Sequence, residues 1–176
     1  VPLPQQSLDL ALHCDAILLG AVGGPKWESL DYSLRPERAL LALRQKLCLF
    51  TNLRPIAAFD ELLDASPLKK EIVRGIDIMI VRELTGDIYF GQPRGISKGK
   101  AGRRTGINTM LYSEDEISRI AVRAFEIAQK RRNNIVSVDK ANILESSELW
   151  RDIVSEVGYN YPEVTLKHMY VDNCAM

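Results

Sequence analysis

Hydrophobic positions along this chain switch between helical and extended spacing, and each switch marks a new element. After Pro4, Leu8, Ala11 and Leu12 recur at helical intervals and predict a short amphipathic helix. Asp15 then leads into Ala16-Ile17-Leu18-Leu19, part of the longest apolar run (Ala16 to Val22), which reads as a buried strand. Gly20, Gly23, Gly24 and Pro25 punctuate the loop that follows, where the backbone can turn sharply or approach a ligand closely. A second helix starts at Pro36, and Glu37, Leu40, Leu41, Arg44 and Leu47 fall on one of its faces. Thr51 to Ala57 reads as a short strand carrying Arg54 and Pro55. Ser66-Pro67 introduces a short polar helix, Lys69 to Arg74, ended by Gly75. Ile76 to Val81 is another strand-length run, with Arg82 and Glu83 at its carboxyl end. Between Gly86 and Gly91, Ile88-Tyr89-Phe90 reads as a third strand.

The second half is more regular. Arg94 to Tyr112 is rich in Gly, Lys and Arg with little apolar periodicity. It reads either as a solvated loop or as a projecting β-ribbon reaching another subunit. Ser113-Glu114-Asp115-Glu116 is a capping box, and the helix it starts buries Ile117, Ile120, Ala121, Ala124, Phe125 and Ala128. Ile135 to Val138 is a strand ending in Asp139-Lys140-Ala141-Asn142. Leu149, Ile153, Val154 and Val157 then line a helix that stops at Gly158, and Val164 to Val171 forms the last strand, followed by Asp172. Strands and helices alternate through most of the chain, so the class is α/β.

Composition narrows the function classes. Lys plus Arg equals Asp plus Glu at 23 each, so no global field invites nucleic acid or an anionic membrane. The basic cluster Lys98, Lys100, Arg103 and Arg104 lacks the interleaved aromatics of a nucleic-acid surface. The apolar run after Asp15 is far shorter than the ~20 residues of a membrane span. Cys14, Cys48 and Cys174 are odd in number and widely spaced, so they read as reduced thiols, with a cytoplasmic location expected. Val1-Pro2-Leu3-Pro4 enters a helix pattern directly, and Cys174-Ala175-Met176 brings no closing element. The chain therefore reads as an internal fragment.

Candidate chemistry collects at strand ends. Arg54 lies on one strand, Arg82 and Lys140 follow two others, Asp172 follows the last, and Tyr89 lies between. Charged residues after apolar strands can converge at one edge of a sheet. Arginines with a lysine suit a small di- or tricarboxylate, because guanidinium meets carboxylate as a bidentate fork. A lysine among arginines is expected to have a depressed pKa and to act as a base or proton relay, with Tyr89 as a proton donor. Asp172 offers one hard oxygen ligand to Mg²⁺ or Mn²⁺. Taken singly, each residue also has a plain structural role: Arg82 and Glu83 as a surface pair, Lys140 as a solvated strand end, Asp172 as a helix cap.

The ordered strings GAVGGPKW, RPE..LLALR, NLRP, VRELTGDIYFG, VDKANIL and YVDNCAM resemble the 3-isopropylmalate dehydrogenases of the isocitrate/isopropylmalate (β-decarboxylating) dehydrogenase family, over essentially the whole chain. The resemblance implies a three-layer α/β fold with a projecting β-arm at about 94–112. Residues 1–49 would belong to a first, cofactor-side domain and 50–176 to a second domain for dimerisation and substrate. It implies that Arg44, Arg54, Arg82 and Asp172 bind substrate, that Leu40 and Leu41 face its isopropyl branch, and that Tyr89 and Lys140 are the acid–base residues. Gly24, Pro25, Lys26, Trp27 and Glu37 would lie against the nicotinamide half of NAD, and Asp172 would bind Mg²⁺ or Mn²⁺. The implied assembly is a homodimer with shared sites, acting on a small molecule in leucine biosynthesis. Isocitrate, homoisocitrate and tartrate dehydrogenases share the arginine–lysine framework, and the Leu40-Leu41 pair favours the isopropyl group over a third carboxylate. A truncated, non-catalytic dimerisation module is the alternative from another class. The family's opening glycine-bearing strand–turn–helix and its later metal-binding aspartates are absent, so these 176 residues alone are not expected to turn over.

Overall fold

The structure is a computed structural model that describes residues 1–99 and 102–176; Lys100 of the basic cluster lies outside the described residues. The chain divides into two compact units, Val1–Phe50 and Thr51–Met176.

The first unit contains helix α1 (Gln5–His13), two 3₁₀ turns (Pro25–Trp27 and Tyr32–Leu34) and helix α2 (Glu37–Lys46). Pro4 precedes α1 and Pro36 precedes α2, where a missing N–H costs nothing. The strand expected at Ala16 to Val22 is not formed. Ile17, Leu18 and Leu19 are exposed and without regular structure. A strand needs a neighbour to bond its backbone groups, and no described residue of this unit forms one. None of its described residues is fully buried either.

Among the described residues the strands lie in the second unit: β1 (Thr51–Ala57), β2 (Asp77–Glu83), β3 (Gly95–Lys98), β4 (Arg104–Ile107), β5 (Asn134–Asp139) and β6 (Thr165–Tyr170). Its helices are α3 (Lys70–Val73), α4 (Glu114–Gln129), α5 (Glu145–Gly158) and α6 (Val171–Ala175). Among the described residues, the strands form three two-stranded sheets, β1–β2 and β3–β4 antiparallel and β5–β6 parallel. The Gly/Lys/Arg-rich segment is thus a hairpin, matching the ribbon reading in form.

Helix α4 is the spine of this unit. Ser113 caps it through the reciprocal bonds of a capping box, as its sequence predicts. Its buried stripe of Ile117, Ala121, Phe125 and Ala128 meets Ile153, Val154 and Val157 of α5 and Val164 ahead of β6. Phe125 stacks on Tyr161 with centroids 4.9 Å apart and planes inclined by 13°. Gly158 ends α5, and its reason is close approach: a β-carbon there would lie 3.2 Å from the Phe125 ring.

Arg119, on the opposite side of α4, and Arg131, just beyond the helix end, grip β2 by charge. Arg119 pairs with Glu83 at 3.3 Å, and Arg131 pairs with Asp77 at 2.6 Å. The earlier arginine meets the later acid, so the segment carrying both arginines runs antiparallel to β2. Asp77 and Glu83 point to the same face of the strand, because side chains alternate with period two. The other face is thereby turned away from α4, and it carries the arginines.

Candidate functional site

The outward face of β1–β2 presents Asn52, Arg54, Arg82 and Ile80, since Asn52 pairs with Arg82 and Arg54 with Ile80. Arg54 Nε donates to Asn52 Oδ1 at 2.7 Å, which aims its guanidinium along the strand. Arg82 Nη2 donates to the Tyr89 hydroxyl oxygen at 3.1 Å and lies 5.5 Å from the Tyr89 ring centroid. Two arginines and a phenol thus occupy one surface.

Tyr89 is not on a strand, as its apolar neighbours suggest, but on a 3₁₀ turn, Asp87–Tyr89. The cause is Glu83. Its carboxylate is buried and accepts from the backbone N–H of Thr85 and Gly86, each at 2.8 Å, and from the Thr85 hydroxyl at 2.6 Å. These bonds fold the chain back immediately after β2, and Asp87 takes a φ of 66° to complete the reversal. Arg94 then donates to the Tyr89 carbonyl oxygen. Glu83 is therefore a structural anchor of the turn rather than half of a surface pair with Arg82.

A second group forms where β5 and β6 end. Lys140 follows β5, Asp172 lies in the first turn of α6, and their side chains form an ion pair. Asp172 is held below the usual carboxylate range, chiefly by its hydrogen bond from Lys140. Among the described residues, no hydrogen bond or ion pair joins this group to the Arg82–Tyr89 group. No cluster of three or more His, Cys, Asp or Glu side chains suited to a metal occurs among the described residues. Asp172 is a suitable oxygen donor, but one carboxylate does not make a divalent-cation site.

In the first unit, Trp27, Glu28, Tyr32, Arg35, Glu37, Arg38 and Leu41 line a cleft of about 170 Å³. Trp27, Glu37 and Leu41 are thus brought together, with Lys26 Nζ 4.8 Å from the Trp27 ring centroid. Gly23 has a φ of 97°, and a β-carbon there would strike the Glu37 carboxylate at 2.2 Å. Gly24, at φ 142°, leads into the turn that starts with Pro25. Leu40 and Arg44 are half-buried on α2 but do not line the cleft.

Sequence reading passed over the charges behind Lys140. Asp139, buried at the end of β5, accepts a bidentate bond from Arg151 and a backbone bond from Ala141. His168 sits beside them, with Nε2 3.0 Å from Ser155 Oγ and Nδ1 3.8 Å from Asp139 Oδ2. An acid three residues short of a loop asparagine and an arginine twelve residues on gave no pattern to detect, because their contact is made by the α5–β5 packing.

Burial holds the His168 pKa below its ordinary 6.5, the Arg151 charge adding to the effect and Asp139 opposing it. The folded state therefore binds fewer protons than the unfolded one, so this contribution is present above pH 6.5 and is lost as pH falls below it. The melting temperature of the protein is expected to drop on acidification from pH 6.5, and His168→Asn should flatten that slope. An unchanged slope in the variant would remove His168 as its source.

Comparison with known proteins gives one answer. The family described as "Isocitrate/isopropylmalate dehydrogenase" matches residues 1–176. The chain is 62% identical over 175 residues to a protein of Methylococcus capsulatus named 3-isopropylmalate dehydrogenase, covering 99% of this chain and 49% of that protein. A protein of the same name from Aquifex aeolicus is 56% identical over 99% of this chain and 48% of its own length. Among solved structures, an isocitrate dehydrogenase from Methylococcus capsulatus superposes with a TM-score of 0.73 at 26% identity, over 99% of this chain and 48% of that one. The chain spans about half the length of the curated relatives it matches.

Proposed function

Because this chain belongs to the isocitrate/isopropylmalate dehydrogenase family, we propose that it is part of an NAD-dependent 3-isopropylmalate dehydrogenase of leucine biosynthesis, acting in the cytoplasm. The enzyme would convert 3-isopropylmalate to 4-methyl-2-oxopentanoate and carbon dioxide. The observation that carries this reading is identity along the whole chain to proteins named for that activity. The family fold supports only the broader statement, since an isocitrate dehydrogenase shares it. The apolar Leu41 in the cleft beside Trp27 and Glu37 supports a branched aliphatic substituent over a third carboxylate.

In this reading Arg44, Arg54 and Arg82 hold the two substrate carboxylates and the hydroxyl, while Leu40 and Leu41 face the isopropyl group. Gly24, Pro25, Lys26, Trp27 and Glu37 line the nicotinamide side. Bound NAD⁺ supplies the acceptor for the C2 hydride, and Mg²⁺ or Mn²⁺, with Asp172 as one ligand and the others from outside this chain, supplies charge that steadies the oxygen anion. The hydroxyl proton leaves to Lys140, directly or through Asp172 or water. As carbon dioxide departs, the electron pair of the broken C–C bond passes into an enolate. Tyr89 then gives its proton to the enol carbon, and the Arg82 bond to the phenol oxygen leaves the O–H free for that purpose. Lys140 and Asp172 would serve the partner subunit's site in a homodimer, with the β3–β4 hairpin as the dimer arm.

The test is NAD⁺ reduction by the full-length protein with Mg²⁺, offering isopropylmalate, isocitrate and tartrate separately. Isopropylmalate is expected to be preferred by about 10- to 200-fold or more, the discrimination an apolar pocket supplies. Preference for another acid would overturn the leucine-pocket assignment. No turnover of any would put the non-catalytic dimerisation module in its place.

A further inference from the structure

Arg151 lies outside the catalytic set, yet its guanidinium touches the last residues of both strands that lead to Lys140 and Asp172. In the parallel β5–β6 ladder, Asp139 and Tyr170 are opposite residues on the last rung. One residue beyond that rung on β5 is Lys140, and two beyond on β6 is Asp172. Ladder pairing stops there, so it does not fix how the two chains leave the sheet.

Arg151 reaches this rung from α5. Its Nε donates to Asp139 Oδ2 at 3.0 Å and its Nη2 to Asp139 Oδ1 at 2.8 Å, a two-pronged grip that fixes orientation as well as distance. The same guanidinium stands 4.8 Å from the Tyr170 ring centroid. The Asp139 side chain is only 1% exposed, and it also accepts from the backbone N–H of Ala141 at 3.0 Å. One carboxylate therefore holds the residue before Lys140 and the residue after it. Ser155, one turn further along α5, donates to the Arg151 carbonyl and meets His168 of β6, which ties the helix to the second strand as well.

We propose that Arg151 is a positioning residue: by gripping Asp139 and Tyr170 together it sets the separation and aim of the Lys140–Asp172 pair. This rests on the role of Lys140 proposed above. A guanidinium is suited to the task because its fork is planar and stays charged at every working pH. Lysine could supply the charge but not the two fixed directions.

Arg151→Met alone would leave a buried carboxylate unpaired and could unfold the unit. The informative variant is Arg151→Met with Asp139→Asn in the full-length protein, which removes both charges while the amide oxygen still accepts from Ala141. With 3-isopropylmalate and NAD⁺, kcat is expected to fall about 10- to 100-fold with KM nearly unchanged, the signature of a misplaced base rather than of lost binding. The deuterium isotope effect on kcat from substrate labelled at C2 should rise, and Arg151→Lys should fall between the two. Independently of turnover, Lys140 should be reductively methylated several-fold faster in the double variant, read by mass spectrometry, because its hold on Asp172 is loosened. Wild-type kcat together with wild-type labelling would overturn the proposal, as would a rise in KM that matches the fall in kcat. A wild-type protein inactive on isopropylmalate would sink the functional reading alone, and the labelling contrast would still decide the role of Arg151.

Discussion

Lys140→Met in the full-length protein is expected to lower oxidation of isopropylmalate by about 10²- to 10⁴-fold, the range for loss of a positioned acid–base group. Methionine keeps the length and apolar stem of the side chain and removes only the ammonium. The strand end is held by Asp139, Arg151 and Ala141, none of which touches the Lys140 amine, so the local backbone should stay in place. Asp172 loses its partner at a site where it is well exposed, so little stability is at stake. Two measurements check this: steady-state kinetics with isopropylmalate, and sedimentation of variant and wild type side by side to test whether the proposed homodimer is kept. Near-normal kcat would remove Lys140 as the base. Loss in the variant of a dimer that the wild type forms would instead make it an interface residue.

Phe125→Ala carries the largest expected loss of stability. The ring is 1% exposed, stacks on Tyr161 and lies against Gly158, so nothing small can flow in to refill its place. Truncating a buried aromatic of this kind costs about 3–5 kcal/mol through lost burial and the cavity left behind. The same helix holds β2 through Arg119, and Arg131 just past its end adds a second pair, so loosening α4 would disturb the strand that carries Arg82. Denaturant titration of the full-length protein should show the midpoint falling with the m-value unchanged. A loss under about 1 kcal/mol, the scale of a surface substitution, would mean that the α4–α5 seam is not the core of this unit.

The α4 capping box, its buried stripe, the strands at Thr51, Asp77, Asn134 and Thr165 and the end of α5 at Gly158 were all legible, because each is written in a few adjacent residues. So were the side chains at strand ends, since an arginine or lysine closing an apolar run needs no distant partner to be noticed. The misread segments share a different cause. Ala16 to Val22 has the composition of a buried strand, but no strand forms among the described residues of its unit, and an extended chain is stable only as part of a ladder. Ile88-Tyr89-Phe90 has strand composition as well, but the buried Glu83 carboxylate offers the following backbone better hydrogen bonds in a turn.

The sequence by itself determined the main helices, the strands at Thr51, Asp77, Asn134 and Thr165, the family and the identity of the residues offered for chemistry, because periodicity, capping and motif order are local properties. Only the tertiary structure decided which of those residues meet. It set Arg54 and Arg82 on one face of β1–β2 by register, turned Tyr89 back onto Arg82, and paired Lys140 with Asp172 across 32 residues of chain. It also made Arg151 the clamp behind that pair, a contact fixed by how α5 packs on β5 and β6. Such contacts join residues far apart in the chain, and they exist only once the packed elements hold them within hydrogen-bond reach.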